Sequence, residues 1–193
     1  SKTISITINK KQPTIRVAQL FNKLIDDGLF NLTKNKSARY FILRTSWVYG
    51  EGNNFIRTML KLAAERDQLK VVADQVGAPT SAQWLAEIGV QIAGSRVESG
   101  IYHAVPDGET SWHGLTVFAI ETAASAGEGI EVKSENILPI PATDYPLPAT
   151  RPYNSRLNNQ RLKKALSEMA FTGQYPHWQD QVMLYVKDTL AKC

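Results

Sequence analysis

The 193-residue chain has a single cysteine, Cys193, and no long run of apolar residues. One cysteine excludes an internal disulfide framework and a metal cluster built from cysteines. A membrane-spanning helix needs about 18 consecutive apolar residues, so the sequence predicts no membrane partner. The first residues, Ser1–Ser5, lack the apolar core of a secretory signal peptide. We therefore expect a soluble, cytoplasmic protein.

A strong excess of charge of one sign is also absent. Lysine and arginine total 22 against 18 aspartate and glutamate residues, a net charge of +4. The basic residues are scattered, apart from Lys10–Lys11 and Lys163–Lys164, and no nucleic-acid-binding motif occurs, so we expect no nucleic-acid partner. With 43% hydrophobic residues, the chain can bury a sizeable core, which excludes a disordered protein.

Apolar patterning predicts strands and helices from the start of the chain. Thr3–Ile8 alternates β-branched apolar and polar residues, which is typical of a half-buried strand. Thr14–Leu24 has apolar residues at helical spacing, and Tyr40–Leu43 is a short apolar run that fits a buried strand. A strand, a helix and a strand in that order are typical of a parallel βαβ unit, so the sequence predicts an α/β fold.

The alternation continues to the end of the chain. Further strands are predicted over Leu69–Val72, Gly100–Val105 and Ile137–Ile140. Further helices are predicted from Asn54 to about Asp67, from Thr80 to Gly94, after Ser111, from Asn158 to Ser167 and from Trp178 to Leu190. Thr80 and Gln83 have the spacing of a capping box, with Thr80 as the N-cap residue.

Five segments carry the most specific information. They are Leu43–Gly50 (LRTSWVYG), Gly52–Phe55 with Thr58–Leu60, Asp74–Thr80 (DQVGAPT), Gly100–His103 and Arg151–Leu157 (RPYNSRL). Together, and in this order, they resemble the dTDP-4-dehydrorhamnose reductases, a family of the extended short-chain dehydrogenase/reductase superfamily. The resemblance covers about residues 38–190, which correspond to roughly the second half of a family enzyme.

The resemblance implies a fold, a cofactor and a substrate. The implied fold is a partial Rossmann-like parallel sheet with a C-terminal nucleotide-sugar-binding lobe, over residues 38–193, whereas residues 1–37 do not match the family. Family enzymes transfer a hydride from NADPH to the C4 ketone of dTDP-4-dehydro-6-deoxy-L-mannose, in the last step of dTDP-L-rhamnose synthesis. The implied cofactor is NADPH, and the implied partner is a dTDP-sugar.

Two features of the family are missing from this sequence. The glycine-rich turn that binds the cofactor pyrophosphate through backbone N–H groups has no counterpart, since Gly28 is the one glycine before Gly50. The family's proton donor is a tyrosine followed four residues later by lysine, and none of the seven tyrosines here has that neighbour. The resemblance therefore implies that this chain alone has no catalytic residue and is inactive.

Thr45, Ser46 and Trp47 follow a predicted buried strand, where ligands meet open α/β sheets. By resemblance, Thr45 and Ser46 line the nicotinamide of the cofactor, and Trp47 packs on the substrate sugar. The alternative is that Trp47 belongs to the core, because tryptophan is usually largely buried.

The remaining candidate residues are predicted to contact the substrate. Asn54 either caps a helix or meets the substrate diphosphate at the positive end of that helix. By resemblance, Gln75, Pro79 and Thr80 form the floor of the sugar-nucleotide pocket, and the alternative is a rigid loop before a capped helix. Arg151 is a candidate for a bidentate contact with the diphosphate, whereas an isolated arginine is usually a solvated surface charge.

No metal site is expected. The three histidines have no carboxylate or cysteine at ligand spacing. Some family members share magnesium between subunits through an acidic residue shortly after the Pro-Thr pair, but the matching position here is Trp84. A homo-oligomer is nevertheless a candidate state, because a second copy would cover the exposed edge of an incomplete sheet.

Three functions fit the sequence. The first is the reductase activity, to which this chain brings the substrate-binding lobe. The second is a non-catalytic or regulatory module of the same family, comparable to the β subunit of methionine adenosyltransferase, and the missing Tyr-x-x-x-Lys pair favours it for the isolated chain. The third is an epimerase or dehydratase that acts on another nucleotide sugar. The Thr45–Tyr49 string and the Arg151 motif resemble the reductases more than these enzymes.

Overall fold

The structure is a computed structural model that describes residues 41–127, 132–146, 151–169 and 174–191. The strand predicted at Thr3–Ile8, the helix predicted at Thr14–Leu24 and the separate segment 1–37 lie outside the described residues. The boundary after residue 37 therefore stays a prediction.

The chain separates into two compact units. The first contains residues 1–42 and 98–101, and the second contains residues 43–97 and 102–193. Of the first unit, the structure describes residues 41–42 and 98–101. The second unit contains every candidate site residue, and its packing is described below.

The described residues form strands and helices in alternation, which confirms the predicted α/β class. The strands are β1 (Phe41–Arg44), β2 (Val48–Tyr49), β3 (Leu69–Val72), β4 (Val76–Gly77), β5 (Thr80–Ser81), β6 (Gly100–His103), β7 (Thr110–Ser111) and β8 (Ile137–Ile140). The α-helices are α1 (Phe55–Glu65), α2 (Ala82–Gly94), α3 (Trp112–Ser125), α4 (Gln160–Glu168) and α5 (Trp178–Leu190). None of these helices is long and apolar enough to cross a membrane.

The described strands pair two by two. β3 and β8 run parallel, with Leu69 opposite Ile137 and Val72 opposite Ile140. β2 and β5 are also parallel, β4 and β7 are antiparallel, and β1 pairs with β6. The predicted parallel sheet is thus present as short parallel pairs.

The hydrophobic core of the second unit involves α1, α3, α5 and the β3–β8 pair. Apolar residues of α3 recur at helical spacing, so one face of that helix is buried. Members of the core from the other elements are Ile56, Leu60, Ala63, Leu69, Val71, Ile137, Val182 and Val186. Full burial of a valine, leucine or isoleucine side chain stabilises the folded chain by about 1.5–3 kcal/mol. Because β3 leads into Gln75–Thr80, the core fixes the start of that segment.

Two helices begin at the polar residues that the sequence indicates. Asn54 caps α1, since its side-chain oxygen accepts a hydrogen bond from Arg57 N at 3.2 Å. Ser111 caps α3 in the same way, accepting from Gly114 N at 3.0 Å. Each cap satisfies a backbone N–H that has no partner inside the first turn of the helix.

The predicted capping box at Thr80 is wrong. Ser81 is the N-cap of α2 and accepts from Trp84 N at 3.4 Å, while the Gln83 side chain donates to a glutamate one turn further along the helix. Thr80 lies in β5 and is fully buried, and its hydroxyl donates to Ala78 O. Pairing with β2 therefore places Thr80 before the helix, and the next hydroxyl along the chain becomes the cap.

Element bounds agree best where the pattern is long or strictly alternating. β3, β8 and α5 have the predicted bounds. The strand predicted over Gly100–Val105 ends at His103, the first described helix ends at Glu65, and the helix predicted from Asn158 begins at Gln160. The loop predicted at Gln75–Thr80 contains β4 and the start of β5.

Candidate functional site

The Gln75–Thr80 segment is the point at which other candidate residues meet. Ser46 Oγ donates to Ala78 O at 2.9 Å and accepts from Ala78 N at 3.3 Å. Thr80 N donates to Trp47 O at 3.2 Å. The structure thus brings Ser46, Trp47 and Thr80 together, and it binds the Ser46 hydroxyl to the backbone of the segment.

Thr45 and Pro79 lie beside these contacts and differ in exposure. Thr45 is exposed, so its hydroxyl is accessible. Pro79 is one of the fully buried side chains of the protein. Because proline has a fixed φ and no N–H, the buried Pro79 helps to hold the shape of the segment.

The other side of the segment is bridged to the residues that follow Arg151. Val76 N donates to Tyr153 O at 2.9 Å, and Ser155 N donates to Val76 O at 2.8 Å. Arg151 is exposed and lies two residues before this bridge. The bridge anchors the RPYNSRL motif to the segment that also holds Ser46 and Trp47.

Trp47 has an unusual backbone and a stacked partner. Its φ is +48°, in the left-handed region that bulky residues rarely occupy. Its ring stacks on Trp112 with a centroid separation of 3.8 Å and an interplanar angle of 14°. Both indoles are half-buried, so Trp47 packs against the core and still keeps part of its surface exposed.

Two further groups surround the stacked indoles. Gly77 lies so close to Trp47 that a Cβ atom there would come within 2.8 Å of Trp47 Cε2. Phe55 contacts Trp112 at a centroid separation of 4.6 Å. Trp112 Nε1 donates to Gln75 Oε1 at 3.2 Å, and Gln75 is only 8% exposed. Gln75 is therefore linked to the stacked indoles through its side-chain oxygen.

Asn54 is placed by its own hydrogen bonds at the start of α1. Its Nδ2 lies 2.8 Å from Gly50 O, 3.2 Å from Gly52 O and 2.7 Å from Tyr185 Oη. Together with the N-cap bond to Arg57 N, these contacts occupy both ends of the side-chain amide. Asn54 therefore caps α1, while its predicted contact with the substrate diphosphate stays a prediction.

A cavity of about 200 Å³ opens beside the same segment. It is lined by Gly77, Ala78, Val105, Pro106, Asp107, Gly108, Glu109, Arg156, Leu157 and Asn159. The charged residues at the cavity are paired. Arg156 makes two hydrogen bonds to Glu109, at 2.5 and 2.9 Å, and Lys163 Nζ lies 2.6 Å from Asp107. Asp107 also accepts from Asn159 Nδ2 at 3.0 Å.

Partial burial alone would raise the pKa of Asp107, but hydrogen bonds from Lys163 and Asn159 outweigh it and hold the pKa below the usual value for aspartate. When a carboxyl has a lower pKa in the folded chain than in the unfolded chain, it stabilises the folded chain at pH values above its pKa in the unfolded chain, which is near 4. This stabilisation is lost as the pH falls through the pKa of the folded chain. We predict that the difference in free energy of unfolding between the wild-type chain and Asp107→Asn, measured with urea, decreases between about pH 6 and pH 2.

The matched control for this prediction is the same substitution in a Lys163→Met background. There the cation that lowers the pKa of Asp107 is gone, so the pH dependence should be much smaller. An equal pH dependence in both backgrounds would show that Lys163 does not set the pKa.

Three phenols near the site have environments unlike that of a proton donor. Burial, and then the neighbouring Tyr185, raise the pKa of Tyr49. Burial, and then Asp107, raise the pKa of Tyr175, whose hydroxyl donates to Val105 O at 2.7 Å. Tyr185 Oη donates to Gly50 O at 2.7 Å. A raised pKa keeps a phenol neutral and opposes formation of phenolate, so neither Tyr49 nor Tyr175 replaces the missing Tyr-Lys pair.

The sequence does not single out Trp112 or the residues that line the cavity. A tryptophan directly after the Ser111 cap is a usable signal for Trp112, since it places a large ring at a helix start.

The histidines have structural partners: His113 Nε2 lies 2.7 Å from Ile137 O, and His103 Nδ1 lies 3.0 Å from Asn158 O. Within the described ranges, histidine, cysteine and acidic side chains form no group of three or more that could hold a metal ion.

Most of the chain is similar to known proteins. The profile of the family described as RmlD substrate binding domain matches residues 31–191. The chain is 43% identical over 147 residues to a dTDP-4-dehydrorhamnose reductase of Shigella flexneri, a match that covers 74% of this chain and 47% of that protein. The chain thus spans about half the length of the curated relatives that it matches.

Solved structures give the same result. A dTDP-4-dehydrorhamnose reductase from Clostridium acetobutylicum matches with a TM-score of 0.66 and 35% identity, covering 79% of this chain and 49% of that chain. One from Bacillus anthracis, solved in complex with NADP, matches with a TM-score of 0.65 and 30% identity, covering 81% and 50%. Both are Rossmann-like reductases, in agreement with the fold class expected from the sequence.

Proposed function

The chain belongs to the family of RmlD substrate-binding domains, and we propose that it is the substrate-binding half of a dTDP-4-dehydrorhamnose reductase. In this role it binds the dTDP-sugar. The sequence has neither the family's glycine-rich turn for the cofactor phosphates nor its Tyr-x-x-x-Lys pair.

The observation that carries the proposal is that three candidate segments are hydrogen-bonded to one another. Gln75–Thr80 is bonded to Ser46 and Trp47 on one side and to residues 153–155 on the other. A nucleotide-sugar site needs an apolar surface for the sugar and a few fixed polar groups that set its orientation. A half-exposed indole and a nearby arginine anchored to one rigid segment meet that need.

We assign the sugar to Trp47 and the diphosphate to Arg151. A guanidinium matches the geometry of two phosphate oxygens, and the exposed Arg151 lies two residues before the bridge to Val76. The Asn54 side chain is occupied within the protein, so its part is to hold the start of α1 in place. The buried side chains of Pro79 and Thr80 shape the floor of the pocket.

In the complete reaction NADPH supplies the hydride to C4 of the ketone, and an acid supplies the proton to the carbonyl oxygen. From this chain, Thr45 and Ser46 would form the wall beside the nicotinamide. Ser46 already uses its hydroxyl on Ala78, and the described residues include no glycine-rich turn for the pyrophosphate. The residues present therefore fit one edge of a cofactor site, not a complete one.

It follows that the isolated chain should bind without turnover. The sequence has no tyrosine followed four residues later by lysine, and the buried Tyr49 and the half-buried Tyr175 both have raised pKa values. A non-catalytic or regulatory binding module of the same family is the second candidate, and this same absence favours it. The two candidates differ in one respect: the reductase half gains activity when a cofactor-binding half is supplied, and the module does not.

Calorimetric titration of the purified chain with dTDP-glucose and with dTDP tests the proposed binding. Both ligands should bind, and Arg151→Gln should weaken both by about tenfold or more, because a charge-assisted hydrogen bond contributes about 1.5–3 kcal/mol. Arg66→Gln, which removes an exposed arginine at the end of α1, is the matched control and should bind as the wild type does. Absence of binding by the wild-type chain would overturn the proposal, and an unchanged affinity of Arg151→Gln would remove Arg151 from it.

A further inference from the structure

We propose that Trp112 and Gln75 are positioning residues that set the orientation of Trp47. The inference rests on the proposed function, since it takes Trp47 as the side chain that contacts the sugar. In this arrangement Trp112 supports Trp47, and Gln75 supports Trp112 instead of contacting the ligand.

The Trp47 ring has little freedom between its two neighbours. One face stacks on Trp112 at 3.8 Å and 14°. The pyrrole edge of the indole lies against the backbone of Gly77, so close that even a methyl group there would meet it. A ring held in this way can present only its remaining surface to a ligand.

Trp47 needs such support because its own backbone does not favour the conformation it has. At φ +48° a residue with a Cβ atom is strained, and strain of this kind persists only where surrounding contacts over-determine it. The ring is also only half-buried, so the core does not enclose it on all sides. The stack on Trp112 is therefore a main constraint on where the indole points.

Trp112 is itself oriented by Gln75. The indole N–H donates to Gln75 Oε1 at 3.2 Å, and Gln75 is buried. Phe55 contacts Trp112 at 4.6 Å with a tilt of 53°. The hydrogen bond to Gln75 constrains the direction of the indole N–H, and the contact with Phe55 limits rotation of the ring about that direction, so the two together hold the ring on which Trp47 stacks.

The consequence is a specific contribution to sugar recognition. If Trp47 meets the sugar and Arg151 meets the diphosphate, loss of the stack weakens the sugar contact and leaves the nucleotide contacts in place. The affected quantity is the ratio of the affinities for dTDP-glucose and for dTDP. A substitution that merely unfolds part of the protein lowers both affinities and leaves their ratio unchanged.

The test compares Trp112→Phe, Gln75→Met and the double variant by calorimetry with dTDP-glucose and with dTDP. We expect Trp112→Phe to lower the affinity ratio by about 3- to 10-fold, as the loss of a stacked aromatic pair implies. Gln75→Met keeps the shape but not the acceptor and should lower the ratio in the same direction. The double variant should lose no more than Trp112→Phe alone, because both changes break the same chain of contacts.

Trp84→Phe is the matched control. Trp84 packs edge-on against Tyr175 at 5.6 Å and has no place in the proposed site, so its replacement should leave the ratio unchanged. Circular dichroism provides a second readout: Trp112→Phe and Trp47→Phe should remove the same band of the coupled indoles, and Trp84→Phe should retain it.

The outcomes separate the two proposals. A wild-type ratio of one would overturn the proposed sugar contact of Trp47 and the positioning role with it. A wild-type ratio above one that Trp112→Phe leaves unchanged would overturn the positioning role alone. If Trp112→Phe fails to fold, Gln75→Met decides: an unchanged ratio overturns the inference, and a lowered ratio supports it.

Discussion

Gly108→Ala is expected to lower the free energy of unfolding by about 2–4 kcal/mol, the sum of a backbone cost and a steric cost. Gly108 has φ +77°, a conformation that costs about 1 kcal/mol for a residue with a Cβ atom. The added Cβ would also lie 2.7 Å from His177 Cε1 and 2.8 Å from Trp178 Cδ1.

The neighbours of Gly108 cannot easily move away. Asp107 N donates to Pro176 O at 2.9 Å, and Trp178 N donates to Asp107 O at 3.0 Å. These bonds hold the backbone on both sides of the close contact, so relief of the clash has to come from the side chains of His177 and Trp178. The His177 ring caps Gln179 N at 3.4 Å, and Trp178 is buried in the core, so we expect a steric cost in addition to the backbone cost.

Gly52→Ala separates the two costs. Gly52 has φ +81° and no atom within 4 Å of an added Cβ, so alanine there should cost about 1 kcal/mol from the backbone alone. Urea unfolding of both variants measures the difference. Equal losses for Gly108→Ala and Gly52→Ala would contradict the packing of His177 and Trp178 against position 108.

Gly77→Ala is expected to weaken binding of dTDP-glucose by about tenfold while changing dTDP affinity much less. The added Cβ would lie 2.8 Å from Trp47 Cε2 and 3.1 Å from Cζ2 and Nε1. β4 is paired with β7 through Gly77 and Thr110, so the backbone cannot retreat without loss of that pairing. The indole has to move, and its stack on Trp112 is disturbed.

Gly94→Ala is the control for this variant, because an added Cβ at the end of α2 has no neighbour within 4 Å. It should bind both ligands as the wild type does. A Gly77→Ala chain that binds dTDP-glucose with wild-type affinity would contradict the assignment of the sugar to Trp47.

The sequence predicts those parts of the fold that local patterns determine. Leu69–Val72, Ile137–Ile140 and Trp178–Leu190 were correct to the residue, because their apolar periodicity or bounding residues are visible within a short window. The two-residue strands β4, β5 and β7 could not be predicted, since two residues have no period of their own. They exist through partners distant in the chain.

A partner distant in the chain also explains why the predicted cap at Thr80 is wrong. Locally, Thr80 and Gln83 satisfy the spacing of a capping box, and Ser81 is an equally suitable cap. Pairing of Thr80 with Val48 in β2 decides between them. Tertiary structure thus overrides a local preference that the sequence alone favours.

The sequence places several candidate residues correctly beside one another, while their binding roles stay predictions. Ser46, Trp47 and Thr80 meet at the Gln75–Thr80 segment, and the Ser46 hydroxyl and the Gln75 side-chain oxygen are bound within the protein. The stack of Trp47 on Trp112 was beyond prediction, since no rule of spacing relates two tryptophans on separate elements. Arg151 keeps its predicted role as a proposal, because its guanidinium lies at the surface.

We propose that this chain holds a substrate site without a complete cofactor site. Parallel calorimetric titrations of the same purified chain with dTDP-glucose and with NADPH are the first experiment to make. We expect binding of dTDP-glucose and no measurable binding of NADPH. Tight binding of NADPH without binding of dTDP-glucose would contradict it.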